Sequence, residues 1–257
     1  MEVLQGMAME LDLSEILNEW EFDPDNYMRV LKLADGREVL QVRQPLGIEQ
    51  YELDGRPDGK HPFNKGSVLE EFLDRLNYHQ FLFKTDETYS LSHDDFLLLH
   101  DEEMLYYARY LLLYQMGDFE RTSRDTAHNL KICDIIERYL ADEHEKAELL
   151  QYRPYIIRMN AIARAYLLLE KGMGEQARDT LRNAIEAIQS MPEIETPTFK
   201  LEKERSLDSL RSRLIEITGD ELSEVEQLSL ELEQAVSLED YEKAAELRDK
   251  INSIRGS

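Results

Sequence analysis

The sequence predicts a mainly α-helical protein with a small α/β cap at the N-terminus and a helical hairpin at the C-terminus. From about residue 66 onward, apolar residues recur at steps of three and four, which places them on one face of a helix. Before that point, short segments rich in strand-forming residues flank an Asp-Gly pair, as in a β-hairpin. Seven prolines and eleven glycines in 257 residues leave room for long helices. We therefore divide the chain into a cap (1–64), a helical-hairpin body (65–219) and a C-terminal hairpin (220–257).

The N-terminal cap is expected to combine one short helix with three strands. Leu11–Trp20 has helical spacing of its apolar residues, and Pro24 follows it. Strands are expected at 27–33 and 37–43, because they flank Asp35-Gly36, a pair that suits a two-residue type I′ turn. A third strand at 47–53 would complete a small meander.

The body is expected to consist of antiparallel helices with identifiable starting residues. Ser92 and Asp95 form a capping-box pattern, and Leu91 with Phe96 is placed as a hydrophobic staple. Thr196-Pro197 supplies a cap and a first-turn proline. The predicted helices cover residues 68–81, 92–116, 119–140, 156–171 (with a start as early as Pro154), 175–191 and 197–218.

Two stretches of the body are similar to each other. In both, a helix rich in Leu and Tyr ends at a glycine, Gly117 in one case and Gly172 in the other, and an acidic start opens the next helix. This resembles the helix–turn–helix unit of tetratricopeptide repeats (TPR). Because the offset of 55 residues exceeds the usual ~34, either the helices are longer or the body is a generic helical hairpin. In both cases a TPR-like body of stacked antiparallel helix pairs is expected.

The C-terminal segment predicts two amphipathic helices joined at 237–239. Ser237 and Asp240 have capping-box spacing for the second helix, and Ala244-Ala245 would let the two backbones approach closely. A hairpin of ~35 residues is too small to be stable on one core. We therefore expect its apolar stripe to bind a second hairpin, in another copy of the chain or in another protein.

The same residues resemble the UVR motif of the excision-repair proteins UvrB and UvrC. The resemblance rests on Asp240–Ile251, with its aromatic, acidic, Ala-Ala and Leu-Arg-Asp pattern, and on Leu228 and Leu232 upstream. It covers about 35 of the 257 residues, and it implies a helical hairpin that docks protein to protein. Related motifs occur in AAA+ protease systems such as McsA and ClpC. More loosely, the turn Leu53–Gly59 resembles one in bacterial proteins that carry this motif.

The remainder of the chain limits what the resemblance implies. The helicase motifs of UvrB and the nuclease domains of UvrC are absent from the sequence, and Cys133 is the single cysteine, which excludes the paired Cys-x-x-Cys zinc sites of McsA-like adaptors and any disulfide framework. Acids outnumber bases by 54 to 30, for a net charge of −24, so a nucleic acid would be repelled by the average surface. Neither a membrane span nor a secretory signal pattern is found. We expect a cytoplasmic protein that binds neither nucleic acid nor membrane.

Three groups of residues are candidate chemical sites. Gly55…Gly59-Lys60-His61 has the wrong spacing for a phosphate loop and predicts a turn, with a recognition edge as the alternative. His93-Asp94-Asp95 and His100-Asp101-Glu102-Glu103 are interpreted as helix capping and a solvated acidic face, with a weak cation site as the alternative. His128 has Asp125 three residues earlier, which is a partial match to a di-iron pattern.

The remaining groups favour structural roles. Cys133 is predicted to be a buried thiol rather than a nucleophile. Arg248 could pair with Asp249 or with acids of a partner. Seven tyrosines are expected in the core or lining a groove, with base stacking as the alternative: Tyr106, Tyr107, Tyr110, Tyr114, Tyr152, Tyr155 and Tyr166.

The sequence-based hypothesis is a non-enzymatic adaptor or scaffold that binds a protein with a UVR-like hairpin or forms a homodimer. No catalytic residue, cofactor or metal is expected. The alternative is an accessory factor of nucleotide-excision repair or of an AAA+ protease system. An enzyme would need an unrecognised pocket in the helical body. The residues expected to bind the partner are Leu228, Leu232, Tyr241, Ala244, Ala245, Leu247, Arg248 and Ile251.

Overall fold

Two units divide the chain, one of residues 1–67 and one of residues 68–257. The computed structural model describes residues 13–218, 228–229, 231–232, 235–236 and 240–255. Each unit is built around its own elements.

The N-terminal unit contains a short helix and a three-stranded antiparallel sheet. Its elements are α1 (Ser14–Glu19), β1 (Met28–Lys32), β2 (Glu38–Gln44) and β3 (Gly47–Glu52), with strand order β1-β2-β3. The central strand buries Val39, Leu40 and Val42. Buried Arg43 donates from Nε to the carbonyl oxygen of Trp20 at 2.6 Å, which ties the end of α1 to the sheet.

The turn between β1 and β2 differs from the predicted one. The amide of Leu33 donates to the carbonyl oxygen of Arg37 (2.8 Å), so three residues, Ala34 to Gly36, form the loop. Gly36 has a φ of +89°, whereas Asp35 is not among the residues with positive φ. A type I′ turn needs positive φ at both central residues. The prediction of a two-residue turn was therefore wrong, and this is a three-residue loop with glycine in the left-handed position.

The second unit is helical, as predicted for a mainly α-helical protein. The described residues Leu228, Ser229, Glu231, Leu232, Ala235 and Val236 are also helical. An eight-residue helix, α5, was not predicted. The helices are α2 (Val68–Phe83), α3 (His93–Gln115), α4 (Phe119–Tyr139), α5 (Glu143–Leu150), α6 (Arg153–Glu170), α7 (Gly174–Gln189), α8 (Pro197–Thr218) and α9 (Tyr241–Arg255).

The predicted caps start the helices where expected. The Ser92 amide donates to Oδ2 of Asp95 (2.9 Å), and the Asp95 amide donates to Oγ of Ser92 (3.2 Å), which completes a capping box. Thr196 Oγ1 accepts from the amide of Phe199 at 3.1 Å and caps α8. The sequence also predicts that Gly219 ends α8, but this residue lies outside the described residues.

The two similar stretches end their helices with the same hydrogen bonds. After α3, the amide of Gly117 donates to the oxygen of Tyr114 (3.1 Å) and that of Asp118 to Leu113 (2.9 Å). After α6, Gly172 and the next residue make the equivalent pair of bonds, each at 2.9 Å. Both glycines have positive φ, +77° and +72°. This is a Schellman motif, which explains why glycine stands at both positions.

The helices of the body stack in chain order. Helix α3 packs on α4, α4 on α6, α6 on α7, and α8 packs on both α6 and α7. One hydrophobic cluster joins α2 to α6 through residues such as Phe72, Leu99 and Ile136. A second joins α6, α7 and α8 around Leu181 and Leu210. Within the described residues, no helix is long and apolar enough to cross a membrane.

Candidate functional site

The C-terminal hairpin buries a small core between its two helical segments. Ala235, Ala244 and Leu247 are buried together, and Leu228 and Leu232 pack against them half-buried. Two of the three buried residues are alanines, so the described core contains few side-chain atoms.

The cap of the second helix of the hairpin lies three residues later than predicted. Asp240 itself caps α9, since its Oδ1 accepts from the amide of Lys243 at 3.1 Å. The Asp240 amide in turn donates to the carbonyl oxygen of Ala235 (2.9 Å), which closes the connection between the segments. Asp240 is therefore the cap residue and not the third helical residue of a capping box. Ser237, the other half of that predicted box, lies outside the described residues.

The structure separates the predicted partner-binding residues by exposure. Ala244, Leu247 and Ile251 are buried, whereas Tyr241 is 68% exposed. Arg248 is also exposed, and its Nη2 donates to Oδ1 of the adjacent Asp249 at 2.8 Å. The three other predicted residues are half-buried: Leu228, Leu232 and Ala245. Among the described residues of the hairpin, the exposed large apolar side chains are Tyr241 and Val236, and Val236 is 50% exposed.

The hairpin core that the structure describes is made only of hairpin residues. Its members lie between Leu228 and Leu247. The two clusters described for the helical body include no residue beyond Ile217. Among the described residues, the hairpin cluster and these two clusters of the body share no member.

The glycine-containing segment 55–60 forms a turn, as predicted. Gly55 and Gly59 have φ values of +69° and +68°. The Lys60 amide donates to Oδ1 of Asp58 (3.1 Å), and the Lys60 Nζ lies 3.9 Å from the same carboxylate. A phosphate in this position would meet the Asp58 carboxylate, so the arrangement does not suit one.

The interpretation of the acidic residues of α3 as helix capping and a solvated face was only partly correct. Asp95 belongs to the capping box, and exposed His93 pairs through Nδ1 with Glu145, whose hydrogen bond raises the pKa of this histidine. The interpretation of Glu102 and Glu103 as part of a solvated face was wrong, because both are buried. Among the described residues, no group of three or more His, Cys, Asp and Glu side chains is arranged to hold a metal ion.

Glu102 instead links three helices. Its carboxylate accepts from the amides of Val68 (2.7 Å) and Leu69 (2.9 Å) at the start of α2, and it pairs with Nε2 of His128 on α4 (3.1 Å). Burial alone would raise the pKa of Glu102, but the hydrogen bonds from His128 and the two amides outweigh it and lower the pKa. His128 in turn stacks on Tyr106, with ring centroids 3.7 Å apart.

Further buried polar groups continue along α3 and α4. Arg109 and Asp125 form a buried ion pair. Asn129 Nδ2 donates to both the carbonyl oxygen (2.9 Å) and Oε1 (3.2 Å) of Glu103. Both oxygens of Asp125 thus accept hydrogen bonds from arginine, an arrangement that does not support the partial di-iron match with His128. One feature of the sequence could have indicated this row of buried polar groups: Glu102 and Arg109 lie seven residues apart, which places them on one face of α3.

Cys133 and most of the tyrosines lie in the packed body. Cys133 is fully buried, and burial raises the pKa of its thiol. Tyr106 and Tyr110 are also buried, and Tyr166 stacks on Phe119 at 4.4 Å. Tyr152 is the exception among the seven, since it is exposed. The prediction of core and groove-lining tyrosines agrees with these positions.

Comparison with known proteins gives one match. No curated protein and no solved structure matches the chain. Residues 223–257 match the family model described as the UvrB/uvrC motif. This range contains the hairpin core and the exposed Tyr241, and a motif of this kind suggests interaction with protein or DNA. The chain carries a UVR motif at its C-terminal hairpin.

Proposed function

We propose that the protein is a non-enzymatic cytoplasmic adaptor that binds a helical hairpin similar to its own. The bound hairpin belongs either to a second copy of the chain or to another protein. The observation that carries the proposal is that Tyr241 and Val236 are exposed within a segment that matches the UVR motif.

The composition of this surface favours a protein partner. Tyr241 is 68% exposed. A partner that covers its ring removes apolar surface from water, which favours binding. Residues 220–257 carry eleven acidic and four basic residues. The phosphates of DNA would be repelled by this charge, whereas a hairpin with a basic rim would be attracted to it.

Light scattering of the full-length protein tests the proposal. We expect a mass of about twice the 30.2 kDa of one chain, or a stable complex with a protein that contains a second hairpin. Tyr241→Asp places a charge on the exposed surface without changing the hairpin core, and Ala244→Glu disrupts that core. Both variants should lose the dimer or the complex.

Tyr78→Asp is the matched control, because Tyr78 is 65% exposed on α2 and lies outside the hairpin. Its mass should equal that of the wild type. Circular dichroism shows whether Ala244→Glu has unfolded more than the hairpin. The proposal is overturned if the wild type is dimeric and Tyr241→Asp keeps that mass, or if the wild type is monomeric and no hairpin-containing protein binds it through Tyr241.

The motif match also supports a more specific role, as an accessory factor that docks on a UVR-containing protein of excision repair or of an AAA+ protease system. Purified UvrB, UvrC and ClpC, tested one at a time against wild type and Tyr241→Asp, decide this point. Binding that is lost in the variant supports the role. If none of the three binds, this more specific role is excluded.

A further inference from the structure

A cleft in the helical body is lined by tyrosines from two helices. It has a volume of about 440 Å³ and lies among α3, α5, α6 and α8. Tyr107 and Tyr110 come from α3, and Tyr152 and Tyr155 come from the start of α6. Small-molecule sites in proteins typically have volumes of ~300–1,000 Å³. The cleft is therefore large enough for a ligand.

Three of the rings form a cluster. The ring centroids of Tyr107 and Tyr110 are 5.5 Å apart, those of Tyr107 and Tyr155 are 6.1 Å apart, and those of Tyr110 and Tyr155 are 6.5 Å apart. A cation is attracted to an aromatic ring within ~6 Å of its centroid. With this spacing, one cation can lie within that distance of all three rings. Arg158 already holds its guanidinium 4.9 Å from the Tyr155 centroid, at the edge of the cluster.

The charged side chains of the cleft are acidic. Glu103, Glu148 and Glu202 line it, and none of the described lining residues is a lysine or an arginine. Glu103 is only 8% exposed, and it is the residue most removed from water among the three. An anion would be repelled here, and a cation would gain both carboxylate and aromatic contacts.

The cleft also contains a buried hydroxyl that lacks a partner. The Oη of Tyr110 is fully buried and makes no hydrogen bond in the part of the chain that the structure describes. An unsatisfied buried polar group costs free energy, so most such groups are paired. A ligand with N–H donors can satisfy the oxygen of Tyr110.

We propose that this cleft binds a protonated alkylamine, either free or at the end of a lysine side chain. The ammonium group lies against the ring cluster of Tyr107, Tyr110 and Tyr155. It donates to the Glu103 carboxylate and to Tyr110 Oη. The site is separate from the C-terminal hairpin, and its test is independent of the proposed adaptor function.

Binding of an ammonium group to Glu103 gives a specific pH dependence. Burial raises the pKa of Glu103 to about 7, and the bond from Asn129 opposes that rise. Because only the ionised carboxylate attracts the cation, affinity should increase about tenfold between pH 6 and pH 8. The other titratable groups around Glu103 are His100 on α3, Cys133 on α4, Glu148 on α5, Glu202 on α8 and the cleft tyrosines.

The test is a titration of the full-length protein with n-butylammonium, followed by ligand-observed NMR, with n-butanol as the neutral control. Butylammonium should bind and butanol should not. Glu103→Gln should weaken binding at pH 8 at least tenfold and remove its pH dependence. Tyr107→Ala should also weaken it. Glu120→Gln, at an exposed position on α4 outside the cleft, should behave as the wild type.

His100 is the main competing explanation, because its imidazole lines the same cleft. His100→Gln should therefore keep most of the pH dependence. The proposal is overturned if Glu103→Gln binds as the wild type does, if His100→Gln alone removes the pH dependence, or if butanol binds equally well.

A second titration distinguishes the two sources of the amine. The probe is an acetyl-Gly-Lys-Gly-amide peptide, compared with its N-acetyl-lysine form. Tighter binding of the lysine peptide than of butylammonium supports a protein side chain as the ligand, and the reverse order supports a free amine. If neither the peptide nor butylammonium binds, the proposal is wrong.

Discussion

Arg109 of α3 and Asp125 of α4 form an ion pair that is completely removed from solvent. The guanidinium donates twice to the carboxylate, from Nε to Oδ2 at 2.6 Å and from Nη2 to Oδ1 at 2.8 Å. Arg124 adds a third bond, from its Nε to Oδ1 at 2.9 Å. Such a two-pronged contact has one preferred geometry, so it fixes the register in which α3 packs against α4.

Breaking this pair should destabilise the body strongly. Asp125→Asn removes the negative charge but leaves Arg109 buried, which typically costs ~3–5 kcal/mol of unfolding free energy. Urea denaturation followed by circular dichroism measures the loss. The double variant Arg109→Met/Asp125→Leu removes both charges and should lose less than Asp125→Asn alone. A double variant as unstable as the single one would contradict this explanation.

Glu102 should stabilise the start of α2 only while it is ionised. Its pKa is lowered in the folded chain, so its contribution is present above its ordinary pKa of 4.5 and is lost as the pH falls through the lower folded value. Glu102→Gln should reduce the unfolding free energy at pH 7 by ~1–3 kcal/mol, because hydrogen bonds to a charged acceptor are among the stronger ones. The deficit relative to wild type should shrink in acid. A deficit that is constant from pH 7 to pH 3 would argue against this role.

The neighbouring Glu103 should have the opposite pH dependence. Its pKa is raised from 4.5 to about 7 by burial, so the folded state holds a proton that the unfolded state releases. Its stabilising effect is complete below pH 4.5 and is lost as the pH rises through 7. In Glu103→Gln, this loss should vanish, and the variant should be more stable than wild type at pH 8, by up to roughly 3 kcal/mol.

Urea midpoints of wild type and Glu103→Gln at pH 5, 6, 7 and 8 measure this effect. The comparison with Glu102→Gln is the internal control, because the two residues are adjacent in the sequence and titrate in opposite senses. If both variants show the same pH profile, Glu103 is not the group responsible.

Several helix boundaries of this chain were predictable because they depend on local sequence, whereas α5 was missed. Ser92 with Asp95, Thr196, and the glycines after α3 and α6 each act within one turn of the chain. The burial of Glu102 and Glu103 was not predictable in this way. Their partners, Val68 and Asn129, lie on other helices, so nothing in the local charge pattern distinguishes them from a solvated acidic face.

In the hairpin, too, the spacing of apolar residues did not predict which of them are exposed. The predicted apolar stripe of α9 includes Ala244 and Ile251, which are buried, but it omits Leu247, which is buried as well. Spacing alone placed Tyr241 on the same stripe as Ala244, although one is 68% exposed and the other is buried.

Two glycines, only two positions apart, should respond in opposite ways to alanine. Gly172 has a φ of +72°, which disfavours any side chain even though a Cβ there would meet open space. Gly172→Ala should therefore reduce the unfolding free energy by about 1 kcal/mol. Gly174 is the first residue of α7 and has no such φ, and the nearest atom to its added Cβ is a flexible arginine nitrogen at 4.0 Å. Gly174→Ala should be neutral or stabilise the protein by several tenths of a kcal/mol, up to ~1.

Gly117→Ala provides the replicate, because Gly117 ends α3 with the same hydrogen bonds and a φ of +77°. Urea denaturation of the three variants should place Gly117→Ala and Gly172→Ala together below the wild type, with Gly174→Ala at or above it. The slope of the unfolding free energy against urea concentration should equal that of the wild type, since none of the changes alters the surface exposed on unfolding. Equal losses for all three variants would show that the cost comes from crowding or helix packing and not from the left-handed backbone.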